Sequence, residues 1–176
     1  MKKLYTLLPN QSSLRWVTMV RLTVKARDGK RKVMTPTSAR EMLERWRWNG
    51  EPVCPRCSST HPIYERHLPG YFRCPNCKQD FTVRTGTVME RSHVQLDKWI
   101  YASYVWNRSF HELSGTRRRY SSAKLSREIG VTQKTAWFLL LKLWKSFRDN
   151  QSQFLFEIGR QLYFTVSAKE QQRGRS

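Results

Sequence analysis

Cysteine is the residue in this sequence best placed to do chemistry, and it occurs four times, as Cys54-Pro55-Arg56-Cys57 and Cys74-Pro75-Asn76-Cys77, with sixteen residues between the pairs. Two residues separate the thiols of each pair, a spacing that lets a short knuckle offer both sulfurs to one tetrahedral ion. Zn2+ suits such a set, because soft sulfur ligands hold it strongly and its filled d-shell imposes no competing geometry. Four thiolates leave no open coordination position, so the chemistry expected is structural and not catalytic. Two disulfides are one alternative, but they need an oxidising compartment, and Met1-Lys2-Lys3 leads into no apolar signal run. An iron–sulfur cluster is another that the spacing alone leaves open. His61 and His67 lie inside the intervening loop and read as ordinary loop histidines.

The chain has 176 residues and a formal charge of +20. The excess is distributed: residues 1–50 hold twelve Lys/Arg against three acids, residues 101–150 ten against three, and residues 51–100 seven against five. A polyanion is the expected partner of such a charge, and nucleic acid the commonest one. No apolar run of spanning length occurs, so no membrane segment is expected, and reduced thiols point to the cytoplasm, in association with the nucleoid.

Elements must hold the cysteines and present the charge. Residues 1–35 form a basic segment with no sustained period. Within it Leu22-Thr23-Val24-Lys25 suggests a strand, and Asp28 to Lys32 a basic turn. The next unit, 36–91, starts with a helix capped at Thr37 or Ser38, with Ser38 and Glu41 in capping-box spacing and an apolar stripe of Met42, Leu43, Trp46 and Trp48 ending at Gly50. Two short strands, Pro62 to Arg66 and Tyr71 to Arg73, flank the Leu68-Pro69-Gly70 turn. Phe81, Val83 and Thr85 alternate as a third strand.

In the unit 92–150, Leu96, Trp99, Ile100, Tyr104 and Val105 mark one buried helical face, with an end near Asn107 to Ser109. Ser114 to Tyr120 reads as a loop carrying Arg117, Arg118 and Arg119, whose adjacent charges each need solvent or a partner. Ser121-Ser122 then caps a short helix with Leu125 and Ile129, Gly130 turns the chain, and Thr132 caps a second helix from Gln133 to Trp144. Leu125, Ile129, Val131, Ala136 and Leu139 form a shared core, and Ser126 and Ala136 allow close crossing: helix-turn-helix geometry. Gln133, Lys134, Thr135 and Trp137 then sit at the leading end of a recognition helix, with Lys124 and Arg127 directed at phosphates. An ordinary helical hairpin with a polar first turn is the plainer alternative. For 151–176, Phe154, Phe156, Ile158, Leu162, Phe164 and Val166 at even positions suggest short strands divided at Gly159-Arg160, followed by a loose end.

These residues carry a family resemblance. Glu44 to Trp48, Val53 to Cys57, Tyr71 to Cys77, Phe81 to Glu90, Leu96 to Trp99 and Ser121 to Trp137 together resemble the amino-terminal part of insertion-sequence transposases with a zinc ribbon, the ISXO2-like group, over residues 36–148. The resemblance implies modules that bind transposon-end DNA, and cutting chemistry in a following ribonuclease-H-like domain; on a DNA-binding reading, Arg84 of the ribbon and the tri-arginine loop hold phosphates. After Asp149 the only acids are Glu157 and Glu170, without an Asp-Glu-Thr run. Two-metal phosphoryl chemistry needs several carboxylates, so no catalytic residue is assigned and the chain is not read as an enzyme.

The expectation is therefore an α+β chain, a small zinc ribbon followed by a helix-turn-helix module, that binds double-stranded DNA with sequence preference. It would occupy element ends, repress transposition, or recruit a full-length transposase, and it is compatible with oligomerisation. One alternative is a protein-interaction component of a larger nucleoprotein complex, favoured if Trp46, Trp48, Trp106 or Trp144 face outward. Another is a non-catalytic subunit of a DNA-cleaving transposase or nuclease.

Overall fold

A computed structural model describes residues 34–59, 62–112 and 120–173, so the strand and basic turn expected before Met34, His61, and Arg117 to Arg119 lie outside the described residues. The order is helix α1 (Pro36–Trp48), strands β1 (Tyr64–Glu65), β2 (Phe72–Arg73) and β3 (Asp80–Phe81), then helices α2 (Leu96–Glu112), α3 (Ser122–Ile129), α4 (Gln133–Arg148) and α5 (Gln153–Arg173). The three strands form one antiparallel sheet in the order β1-β2-β3, with Tyr64 opposite Arg73 and Phe72 opposite Phe81. This is the expected α+β architecture.

Thr35, and not Thr37 or Ser38, caps α1: its side chain accepts the Ser38 amide at 3.1 Å. Pro36 decides the register, because proline's missing N–H costs nothing at the first helical position. Asn49, in the left-handed region at φ 51°, closes the helix one residue before Gly50. Trp48 is buried, and its ring meets Phe72 and Phe81 edge-on, with centroids 5.3 and 5.8 Å away. That cluster fastens α1 to the sheet. Arg47 adds a hydrogen bond to the Val83 carbonyl at 2.8 Å, and burial holds its guanidinium below its ordinary value.

The third strand stops at Phe81, short of the alternation expected through Thr85. Threonine hydroxyls capture the backbone instead. Thr82 Oγ1 accepts the Arg84 amide at 3.2 Å, Thr85 Oγ1 accepts the Thr82 amide at 3.1 Å, and Thr87 Oγ1 donates to the Arg84 carbonyl at 2.6 Å. The result is a train of turns that carries Val83 and Met89 into the core.

Residues 153–173 are one helix, which corrects the strand-like reading of Phe154 to Val166 and the loose tail expected after it. The buried residues are Leu155, Phe156, Ile158 and Leu162. Leu155, Ile158 and Leu162 recur at the three- and four-residue intervals of a helix, a pattern the even-numbered apolar residues mask. Helix α5 packs most extensively on α2, which runs to Glu112, past its expected end near Asn107 to Ser109. Ser103 Oγ donates to the Leu155 carbonyl at 2.8 Å, and Asn107 Nδ2 to the Phe156 carbonyl at 3.3 Å. Gly159 lies at this crossing, where an added Cβ would sit 2.5 Å from Ser103 Oγ and 2.7 Å from the Ser103 carbonyl carbon. Gly159→Ala should therefore destabilise the fold by about 1–3 kcal/mol through overpacking, although alanine favours a helix by about 1 kcal/mol over glycine. Thermal unfolding checks this, since each kcal/mol should lower Tm by about 2–4 °C in a chain of this size. An unchanged or higher Tm would contradict the crossing.

One continuous core joins α1, the sheet and the helical half. Ser152 Oγ, in the α4–α5 turn, accepts the Val88 amide at 3.0 Å, a direct tie between the two halves.

Candidate metal centre and nucleic-acid interface

The two knuckles repeat one backbone design. Ser58 and Lys78, each just after the second cysteine of its pair, hold left-handed φ values of 54° and 58°. Their amides donate to the Cys54 and Cys74 carbonyls at 2.9 and 3.0 Å, so each loop folds its two sulfurs to one side. Neither residue is a glycine or asparagine, and the repeated C-P-x-C frame was their one sequence signal.

All four sulfurs lie within 4.8 Å of one another, with Cys54 to Cys77 and Cys57 to Cys74 both at 3.6 Å. Metal–sulfur bonds of about 2.3 Å in a tetrahedron put sulfurs about 3.8 Å apart, whereas a disulfide needs about 2.05 Å. The donor set fits Zn2+, and Cys54, Cys57, Cys74 and Cys77 are positioned to hold one such ion. Asn76 Nδ2 stands 3.8 Å from Cys57 Sγ, a hydrogen bond that orients the thiolate, and one the spacing did not announce. The Gln79 amide draws the Cys77 thiol down, but desolvation and the neighbouring thiols push it up to about 11. Crowded thiols resist ionisation together, and a divalent cation relieves that repulsion. His67 is exposed and stands outside the cluster, the one group of three or more His, Cys, Asp or Glu among the described residues.

Helices α3 and α4 form the helix-turn-helix. Ser121 Oγ accepts the Lys124 amide at 3.4 Å to start α3, and Gly130, at φ 61°, ends it with its amide bonded to the Ser126 carbonyl. A left-handed residue is needed there to turn the chain at once into Val131-Thr132, and glycine takes it without a Cβ clash. Thr132 Oγ1 accepts the Thr135 amide at 3.1 Å and starts α4. Leu125, Ile129, Ala136 and Leu139 are buried between the helices, and Val131 packs against them partly buried. Lys98 Nζ reaches the Gly130 carbonyl at 3.3 Å, which ties the turn to α2.

This packing leaves Gln133 and Lys134 exposed at the leading end of α4, Thr135 half-buried, and Trp137 exposed with its ring 5.1 Å from Phe138. Lys124 and Arg127 are exposed on α3. Lys124 Nζ also lies 5.3 Å from the centre of the Tyr120 ring, and the Tyr120 hydroxyl is bonded to Glu128, so the residue following the three arginines is anchored on α3.

Arg84 has a different setting. Its guanidinium donates to the Ser92 carbonyl at 3.0 Å and to the Val94 carbonyl at 2.8 Å, and burial holds it below its ordinary value. It clamps the connector into α2, where sequence reasoning assigned it to phosphate. Trp48 and Trp106 are buried, Trp46 is half-buried, and Trp144 is exposed. His93 is exposed just before α2 and His111 belongs to that helix. No helix among the described residues is long and apolar enough to cross a membrane.

Residues 34–80 match the family model described as the transposase zinc-ribbon domain, which bears out the resemblance carried by the two knuckles. A curated protein from Halobacterium salinarum, described as an uncharacterized protein in transposable element ISH50, is 30% identical over 106 residues. That alignment covers 56% of this chain and 31% of the relative, so the chain spans about a third of that protein's length. No solved structure matches.

Proposed function

We propose that this chain binds double-stranded DNA with sequence preference at the ends of a transposable element, as the front half of a transposase that occupies, represses or recruits there. The observation that carries the reading is the leading end of α4: a Thr132 cap, then exposed Gln133 and Lys134, on a helix seated against α3 by a buried face. Glutamine pairs bidentately with adenine, lysine reaches guanine or phosphate, and the free helix amides favour an anion. Lys124 and Arg127 add phosphate contacts that set register, and Arg117 to Arg119 extend them from the preceding segment. Cys54, Cys57, Cys74 and Cys77, with Zn2+ bound, would pin the ribbon against α1 as a support behind the reader.

In this reading the chain binds and does not cut. Glu157, one of the two acids after Asp149, accepts from Arg160 at 2.6 and 2.8 Å and from Gln161 at 2.8 Å, a pairing within one helix. Magnesium-dependent cleavage by the purified chain, lost in Glu157→Gln, would overturn this part. The cytoplasmic, nucleoid-associated location follows from the DNA partner and belongs to the same proposal.

Random-site selection on duplex DNA tests the readout. A consensus should emerge, and Gln133→Ala should relax preference at one position by about 1–3 kcal/mol. Lys124→Ala with Arg127→Ala should weaken selected and scrambled duplexes alike. Equal affinity of the wild-type chain for both duplexes would sink the assignment.

A further inference from the structure

Helix α4 has a second apolar side. Ala136, Leu139 and Leu143 face the core, yet Trp137, Leu141 and Trp144 are 51%, 39% and 38% exposed. Their spacing of four and three residues aligns them in one stripe about 10 Å long. Lys134, Lys145 and Arg148 border it, and the Arg148 guanidinium lies 4.8 Å from the centre of the Trp144 ring. Between Gln133 and Arg148 there is no Asp or Glu, and Asp149, which caps the helix end, accepts from Arg148 Nε at 2.9 Å. Single exposed apolar side chains are ordinary, but an aligned row with a net positive rim marks a docking surface.

We propose that this stripe docks an acidic amphipathic helix of another protein, whose apolar side chains cover Leu141 and Trp144 and whose carboxylates meet the exposed Lys134 and Lys145. Charge complementarity selects that occupant. A second copy of α4 would set the same cations face to face, and residues 1–33 carry nine Lys/Arg against one acid, so both meet repulsion. Duplex DNA supplies the negative charge but offers little apolar surface beyond thymine methyl groups, too little to cover a tryptophan and a leucine. Anchors at four- and three-residue spacing are instead what one helix uses to hold another. The stripe shares the exposed side of α4 with Gln133 and Lys134, so the acidic helix and duplex DNA compete for that side, and the stripe is tested without DNA.

The experiment titrates the zinc-loaded full chain with a synthetic helical peptide that has leucine at heptad positions a and d and glutamate elsewhere. Its control replaces every glutamate with lysine. The acidic peptide should bind and shift tryptophan emission to the blue, whereas the lysine peptide should not. Leu141→Ser and Trp144→Ser, both at exposed positions, should each weaken binding at least about tenfold with far-UV circular dichroism retained. The proposal is overturned if the acidic peptide fails to bind, if both peptides bind equally, or if neither substitution matters. Sedimentation gives a further check: self-association abolished by Leu141→Ser would assign the stripe to a second copy. Loss of duplex affinity in Leu141→Ser without peptide binding would assign it to DNA, and either result also overturns the proposal.

Discussion

Cys74→Ser should abolish stoichiometric zinc binding and unfold the ribbon together with its hold on α1. The sheet has only two residues in each of its three strands, too little hydrogen bonding and apolar area to persist unaided. A structural zinc site contributes on the order of 10 kcal/mol to the folded form at neutral pH. Cys74 Sγ is 3.6 Å from Cys57 Sγ, and Cys74 is followed by the left-handed turn at Lys78, so its loss removes a ligand and the reason for the turn. Limited proteolysis should then cut between residues 50 and 95, and the near-ultraviolet dichroism of Trp48 against Phe72 and Phe81 should collapse. A strong chelator should reproduce the effect in the wild type. Acid should as well, because the ion displaces thiol protons on binding and is released as pH falls. One-to-one zinc retention with unchanged protease resistance in Cys74→Ser would refute the structural role.

Raising salt from about 50 to 200 mM should weaken duplex binding by about a thousandfold, if Lys124, Arg127, Lys134 and Arg117 to Arg119 supply six phosphate contacts. Each contact adds about 0.9 to the slope of log affinity against log salt, so Lys134→Ala should lower that slope by about 1. Arg84 is the internal control. Its guanidinium is engaged by the Ser92 and Val94 carbonyls, so Arg84→Ala should lower Tm and leave the slope unchanged. A salt-insensitive affinity, or a slope that responds to Arg84 and not to Lys134, would reject this distribution of contacts.

Local chemistry was legible from the amino acids alone. Two C-P-x-C knuckles specify a four-sulfur site because metal geometry acts over a few residues and a short loop, and the fold brings together the same four thiols. The helix-turn-helix was equally readable: Ser121, Gly130 and Thr132 are start and stop signals whose hydrogen bonds close within five residues. What lay beyond that range was decided by packing. Phe154 to Phe164 fit two periods, and contact with α2 selects the helix by burying Leu155, Ile158 and Leu162, with Gly159 admitted close to Ser103. Arg84 resembles any surface cation until the chain returns Ser92 and Val94 to it. Helix α4 carries apolar residues on opposite sides, and its seat on α3 and α2 determines that Leu139 and Leu143 go inside while Leu141 and Trp144 stay out. Periodicity ranks faces by hydrophobicity, but burial depends on which face finds a complementary partner, and that partner is far away in sequence.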